Sequence, residues 1–107
     1  MGFFKRKYSK NVTRDNQFFK TYAIKMNALL RYVEDNEKVT QAIETLQNDF
    51  QYTVASADGH AKKREKNITK LYEELKAMLQ QPGWNEQQVL LLVKNIGAEV
   101  DEINSMR

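Results

Sequence analysis

Residues 82–103 read PGWNEQQVLLLVKNIGAEVDEI, and this stretch decides the fold because it holds both a helix start and a complete apolar stripe. Asn85 is a natural N-cap, and Gln88 stands three residues later, as in a capping box. Trp84 precedes the cap and is spaced to pack on Val89, as in a hydrophobic staple. The stripe recurs at three and four residues and comprises Val89, Val93, Ile96, Val100 and Ile103, with Leu92 beside it. The segment therefore predicts an amphipathic α-helix.

Three earlier segments show the same spacing, and none shows the sustained alternation of a β-strand. The first stripe comprises Phe19, Tyr22, Met26, Leu29 and Val33, with Phe18, Ala23 and Leu30 at its edges. The second comprises Val39, Ala42, Ile43, Leu46, Phe50 and Val54, and the third Ile68, Leu71, Tyr72, Leu75, Met78 and Leu79. Turn signals at Asp35-Asn36, Asp58-Gly59 and Pro82-Gly83 separate the four segments.

Four stripes of similar length joined by short breaks predict an all-α protein, a four-helix up-and-down antiparallel bundle. An alternative stays open, because a helix that starts after Gly59 places Lys and Arg at its positive end, at about 0.3 to 1 kcal/mol for each exposed charge. A continuous helix over 37–81 avoids that cost and loses about 1 kcal/mol for an internal Gly instead. That alternative has three helices, one of them a long central helix, and favours an elongated dimer.

The chain has 107 residues, of which 41% are hydrophobic and 29% charged, which suits one small folded domain. The absence of Cys excludes a disulfide scaffold, a thiolate metal site and a cysteine nucleophile. The longest apolar run covers residues 89–93, far short of the ~20 residues that cross a membrane, and no signal-peptide pattern is present. These features predict a cytoplasmic protein and favour a bacterial source.

Residues 1–14 read MGFFKRKYSKNVTR and carry five basic residues and no acidic one. The remaining 93 residues hold 12 basic and 14 acidic residues, a net charge of −2. We therefore predict a flexible basic and aromatic arm over 1–14 and a single helical domain over 15–107. The candidate residues for contact with an acidic surface are Phe3, Phe4, Lys5, Arg6, Lys7, Tyr8, Lys10 and Arg14.

Three interpretations of this arm remain open. Rings and cations interleaved in this way suit an anionic membrane, with the rings at the headgroup boundary. The same side chains suit nucleic acid, through phosphate neutralisation and base stacking. The third interpretation is a tail without a partner, or one whose Phe pair covers an apolar edge of the bundle.

Two further features are candidates for contacts. A second basic cluster comprises Lys62, Lys63, Arg64, Lys66 and Lys70. On a helix, its members at spacing four form a cationic stripe that suits phosphates or acidic side chains, although such a run also suits a solvated helix face. In the fourth helix, Leu90, Leu91 and the small Gly97 are candidates for a helix–helix contact in self-association.

The sequence shows no pattern typical of a catalytic or metal site. His60 is the only His, whereas a zinc site needs three or four protein ligands. Adjacent carboxylates such as Glu73 and Glu74 diverge by about 100° on a helix and do not face each other. No Gly-rich phosphate loop or nucleophile elbow is present. We therefore expect no catalytic residue, no metal, no cofactor and no small-molecule substrate.

These observations predict a non-enzymatic helical interaction or scaffold protein. We expect a protein partner or a homo-oligomer, with the arm on an acidic surface of a protein or of the inner membrane. The alternative is a small nucleic-acid-binding or regulatory protein that uses the arm together with the second basic cluster.

Overall fold

The computed structural model describes residues 17–53 and 59–105, and within these ranges the chain is helical and has no strand. Helix α1 covers residues 17–29 in the described part and runs into a 3-10 turn, Leu30–Tyr32. Helices α2, α3 and α4 follow over Glu37–Tyr52, Gly59–Leu79 and Glu86–Ser105. The predicted four-helix bundle is confirmed. The arm of residues 1–14, Asp58 and Val54 lie outside the described residues.

The cap of α4 is the one that the sequence indicates, and at the Asp35-Asn36 turn the structure makes Asn36 the cap of α2. The Asn36 side chain accepts a hydrogen bond from the Val39 N–H at 3.0 Å and begins α2. The Asn85 side chain accepts one from the Gln88 N–H at 3.0 Å and begins α4. Each cap satisfies a backbone donor that the first helical turn leaves unpaired. Between α3 and α4, Gly83 has φ +73°, the left-handed conformation that a Pro-Gly turn requires of its Gly.

Helix α2 ends at Thr53, and the alternative of one long helix over 37–81 is therefore wrong. The Thr53 backbone is extended, with φ −78° and ψ 130°. Its hydroxyl donates to the Asp49 carbonyl at 2.5 Å, and the residue is buried. The hydroxyl occupies the carbonyl that the Thr53 N–H would bond in a continuing helix, and that N–H donates to the Phe50 carbonyl at 3.4 Å instead.

The core is made by the four predicted stripes. Every member of the stripes within the described ranges is buried, or half-buried and packed on the core. Ala61 joins the core near the start of α3, and α3 ends at Leu79, shortly before the Pro82-Gly83 turn signal. Trp84 is half-buried and packs against the core to which Val89 belongs, as the staple requires. Apolar burial of this kind is the main source of stability in a bundle.

Consecutive helices form two antiparallel hairpins. In the first, the ring of Phe19 in α1 lies 6.2 Å from the ring of Phe50, near the end of α2. In the second, Arg64 near the start of α3 pairs with Glu99 near the end of α4 at 3.2 Å. Both hairpins place the start of their first helix beside the end of their second.

The two hairpins meet through parallel helices. Helix α1 lies along α3, because the Tyr22 hydroxyl donates to Thr69 Oγ1 at 3.1 Å and the Gln80 amide donates to the Tyr32 hydroxyl at 3.5 Å. Helix α4 packs on α2 as well as on α3. Asn36 donates to Glu86 at one end of that pair, and Asn104 donates to Thr53 at the other. The helices therefore follow the order α1, α2, α4, α3 around the bundle, with α2 and α3 on opposite corners.

Candidate interaction site

The helix order separates the charges into two sides. Helix α1 has two Lys and no acid within its described part, and α3 has six basic and three acidic residues, so this pair carries +5. Helix α2 has one basic and three acidic residues, and α4 one basic and four, so this pair carries −5. We call the α1 and α3 pair the basic side and the α2 and α4 pair the acidic side. Since the members of each pair are neighbours, each side carries a net charge of one sign, although Glu73 and Glu74 lie on the basic side and Lys38 and Lys94 on the acidic side.

The predicted second basic cluster lies in the first half of α3, on the basic side. Lys62, Lys63, Lys66 and Lys70 are exposed, whereas Arg64 is half-buried and turns toward α4. Arg64 Nη1 donates to both carboxylate oxygens of Glu99 at 3.2 Å. This partly exposed ion pair contributes at most about 1 kcal/mol. One cation of the cluster thus links α3 to α4, and whether the cluster binds phosphates or acidic side chains stays a prediction.

The cluster stands at the unfavourable end of its helix. Helix α3 has no acidic residue in its first turn, although the N-terminal end of a helix carries a partial positive charge. On the acidic side, α2 and α4 have no basic residue in their last turns, although the C-terminal end of a helix is partly negative. Both mismatches occur at the same end of the bundle, so the helix dipoles add to the separation of charge.

The pKa of Asp49, which lines the groove between α2 and α4, is raised mainly by desolvation. Burial of the carboxyl, with a smaller effect of the nearby Asp101 carboxylate, raises this pKa above its ordinary value of 3.8. Asp49 belongs to α2 and Asp101 to α4, so the parallel packing of these two helices brings the two acids together. Sequence reasoning missed this pair because the residues are far apart along the chain.

The three residues of α4 that the sequence predicts for a helix–helix contact lie in two different grooves of the structure. Leu90 and Gly97 line the groove between α2 and α4. A Cβ added at Gly97 would lie 3.9 Å from Leu46 Cδ1, so Gly97 faces a helix of its own bundle. Leu91 is 56% exposed and lines a different groove, beside Trp84 and Met78. Their role in self-association stays a prediction, and only Leu91 presents a large exposed side chain for it.

A buried aromatic contact joins the two hairpins on the basic side. The rings of Tyr22 and Tyr72 meet edge to face at 5.3 Å. Lys25 Nζ lies 4.8 Å from the centre of the Tyr22 ring and 5.6 Å from that of Tyr72, which favours a cation–π interaction. Burial, with smaller effects of neighbours led by Glu73, raises the pKa of Tyr72 above 10.0. No motif in the sequence indicates this arrangement.

Within residues 17–53 and 59–105, no three His, Asp or Glu side chains come close enough to hold a metal ion. His60 lies exposed in the first turn of α3, near the second basic cluster. None of the helices in the described part of the chain is long and apolar enough to cross a bilayer.

Comparison of the chain with protein-family models, with curated proteins and with solved structures finds no match.

Proposed function

We propose that this is a non-enzymatic interaction or scaffold protein that self-associates through its helices and contacts an acidic surface through its basic arm. The observation that carries the proposal is the division of charge. The arm holds five basic residues, and the helix that follows it belongs to the basic side. Cationic surfaces of this size attract anionic partners over roughly a Debye length, about 8 Å at physiological salt.

The parallel packing of α1 and α3 supports a joint action of the arm and the second basic cluster. Tyr22 lies level with Thr69, so the residues that precede Tyr22 stand beside those that precede Thr69. The start of α1, where the arm joins the bundle, is therefore at the same end as Lys62 and Lys66. A single anionic surface at that end could contact both groups. For the arm we infer the surface of a protein or the headgroups of the inner membrane, and a cytoplasmic location.

The same juxtaposition favours a second candidate, a small nucleic-acid-binding or regulatory protein. Two basic groups at one end of a bundle can neutralise several phosphates together, and each neutralised phosphate steepens the loss of affinity with salt. This candidate predicts duplex binding that depends on the arm and on Lys62, Lys66 and Lys70 alike.

The test compares the full chain with a chain lacking residues 1–14 on anionic vesicles, neutral vesicles and duplex DNA. A triple variant, Lys62→Ala with Lys66→Ala and Lys70→Ala, removes the second cluster from the full chain. A matched control, Lys38→Ala with Lys94→Ala, removes exposed cations from the acidic side instead. Each binding constant is measured at low and at physiological salt.

Anionic-vesicle binding that disappears with the arm, but persists in the matched control, supports a membrane contact. DNA binding that weakens about tenfold or more in both the truncated chain and the triple variant supports the second candidate. Equal binding to anionic vesicles and DNA by the full and truncated chains would overturn the role of the arm.

A further inference from the structure

We propose that the basic side of one copy binds the acidic side of a second copy, so that the bundle is its own anionic partner. This inference rests on the self-association proposed above and names the surfaces that carry it. It uses only helices α1 to α4, and it does not require the arm.

The two sides match in charge and in length. They carry +5 and −5, and the longer helix of each side, α3 or α4, runs for about 30 Å at 1.5 Å per residue. The exposed cations on α3 include Lys63, Lys66 and Lys70, and the exposed acids on the other side include Glu44 and Glu102. Opposed potentials of this kind steer association and fix the orientation of the partners.

Each side also exposes large apolar side chains among its charges. Ile24 of α1 is 71% exposed on the basic side. Tyr52 of α2 is 78% exposed on the acidic side, and Leu91 of α4 is 56% exposed where α4 borders α3. A single exposed apolar residue is ordinary, but apolar and aromatic side chains with a polar rim are the usual arrangement of an interface. A second copy can bury these groups against each other.

The unfavourable placement of charge on the helices is a further argument. Lys63 and Lys66 lie near the N-terminal end of α3, and Asp101 and Glu102 lie in the last turns of α4. Each such charge opposes its helix dipole. Inside one copy, the Arg64–Glu99 pair relieves part of this repulsion. A neighbouring copy that brings acids to α3 and cations to α4 relieves more of this repulsion. Association therefore stabilises helices that carry these unfavourably placed charges.

The position of the two sides predicts the form of the assembly. The basic and acidic sides lie on opposite flanks of the bundle, so a copy that binds through one flank leaves the other flank free. Such a contact is heterologous, and it continues beyond a dimer or closes into a ring.

The experiment measures mass against concentration for the full chain, by sedimentation velocity at about 50 mM and about 500 mM salt, where the Debye length falls several-fold. A basic-side variant carries Lys63→Glu, Lys66→Glu and Lys70→Glu. An acidic-side variant carries Glu44→Lys, Asp101→Lys and Glu102→Lys. A control, Glu73→Lys, makes the basic side more basic at an exposed position of the same helix.

At low salt we expect the mass to rise past that of a dimer with concentration, and high salt to reverse this. Each triple variant alone should associate at least about tenfold more weakly, because like charges then face each other. An equimolar mixture of the two should recover association, since the unaltered acidic side of the first variant then meets the unaltered basic side of the second. Glu73→Lys should strengthen association. The circular dichroism of each variant confirms that it is folded.

A monomer at every concentration in low salt overturns the inference, as does association that neither triple variant weakens. Vesicle and DNA binding by the same samples distinguishes the contact of the arm with an acidic surface from the contact between copies. If the arm still binds anionic vesicles while the chain stays monomeric, the contact with an acidic surface stands and the contact between copies fails. If association persists after removal of residues 1–14 while surface binding is absent, the reverse holds.

Discussion

Asn36 serves two helices at once. Its side-chain oxygen caps α2 by accepting from the Val39 N–H, and its amide donates to Glu86 Oε1 at 2.6 Å. Glu86 opens α4, where the helix dipole favours a carboxylate. One residue in a loop thus ties the starts of two parallel helices together.

Replacement of Asn36 should separate these two roles. Asn36→Ala removes both the cap and the bond to Glu86, and we expect it to lower the free energy of unfolding by about 2 kcal/mol. Asn36→Ser keeps a good cap and loses only the bond to Glu86, so its loss should be below about 1 kcal/mol. Asn85→Ala, which removes a cap alone, should cost about 1 kcal/mol. Urea unfolding measures all three, and equal losses for Asn36→Ala and Asn36→Ser would contradict a capping role.

Asp49 makes stability depend on pH. Its pKa is raised above 3.8 in the folded chain by burial and by Asp101, so the folded chain holds this proton more tightly than the unfolded chain does. Stability contributed by the protonated form is therefore present below pH 3.8 and is lost as the pH rises through the folded pKa.

We accordingly expect Asp49→Asn to raise the thermal unfolding midpoint at pH 7 relative to the natural chain. The difference should shrink as the pH falls toward 3.8, because the carboxyl of the natural chain then becomes neutral as well. Glu44→Gln, a neutralised acid on an exposed position of the same helix, is the control. The result that would refute this account is a stabilisation by Asp49→Asn that is the same at pH 3 and pH 7.

At the scale of the element, helix α4 buries its apolar stripe in the core and packs its Gly97 flank against α2. Gly97 lies on that flank, with space for a methyl group at ordinary contact distance from Leu46. The Gly is therefore not required by a close approach of α2, and it lowers the helix propensity of α4.

Gly97→Ala tests this position. The added methyl contacts Leu46 without displacing it, and Ala is favoured over Gly in a helix, so we expect stabilisation by about 0.5 to 1 kcal/mol. Differential scanning calorimetry and sedimentation of the same variant measure stability and association together. Loss of association with unchanged or higher stability would instead show that Gly97 admits a helix of a second copy.

At the scale of the whole molecule, the arm and the bundle are expected to be independent. The buried core of the described ranges is made by side chains from α1 to α4 and the turn that follows α1. Removal of residues 1–14 should therefore leave the urea midpoint and the slope of the unfolding transition unchanged, since the slope follows the surface exposed on unfolding. A loss of more than about 1 kcal/mol would show that Phe3 and Phe4 cover an apolar edge of the bundle.

The charge of the whole molecule is a poor guide to its surface. Outside the arm the chain carries only −2, which by itself indicates a nearly neutral body. That sum conceals two sides of +5 and −5, which arise because the two positive helices are neighbours and the two negative helices are neighbours. A bundle with the same sequence and the order α1, α2, α3, α4 would place unlike helices side by side along every edge.

The amino-acid sequence by itself determined the helices, their buried stripes and the cap at Asn85, because these depend on spacing and on contacts within a few residues. The sequence left the end of α2 open, since a turn at Asp58-Gly59 and a continuous helix over 37–81 both fit the pattern. Only the tertiary structure decided which helices are neighbours, and with them the Asn36–Glu86 bond, the Asp49–Asp101 pair and the two charged sides. Periodicity reports which face of a helix is buried, but not which helix covers it.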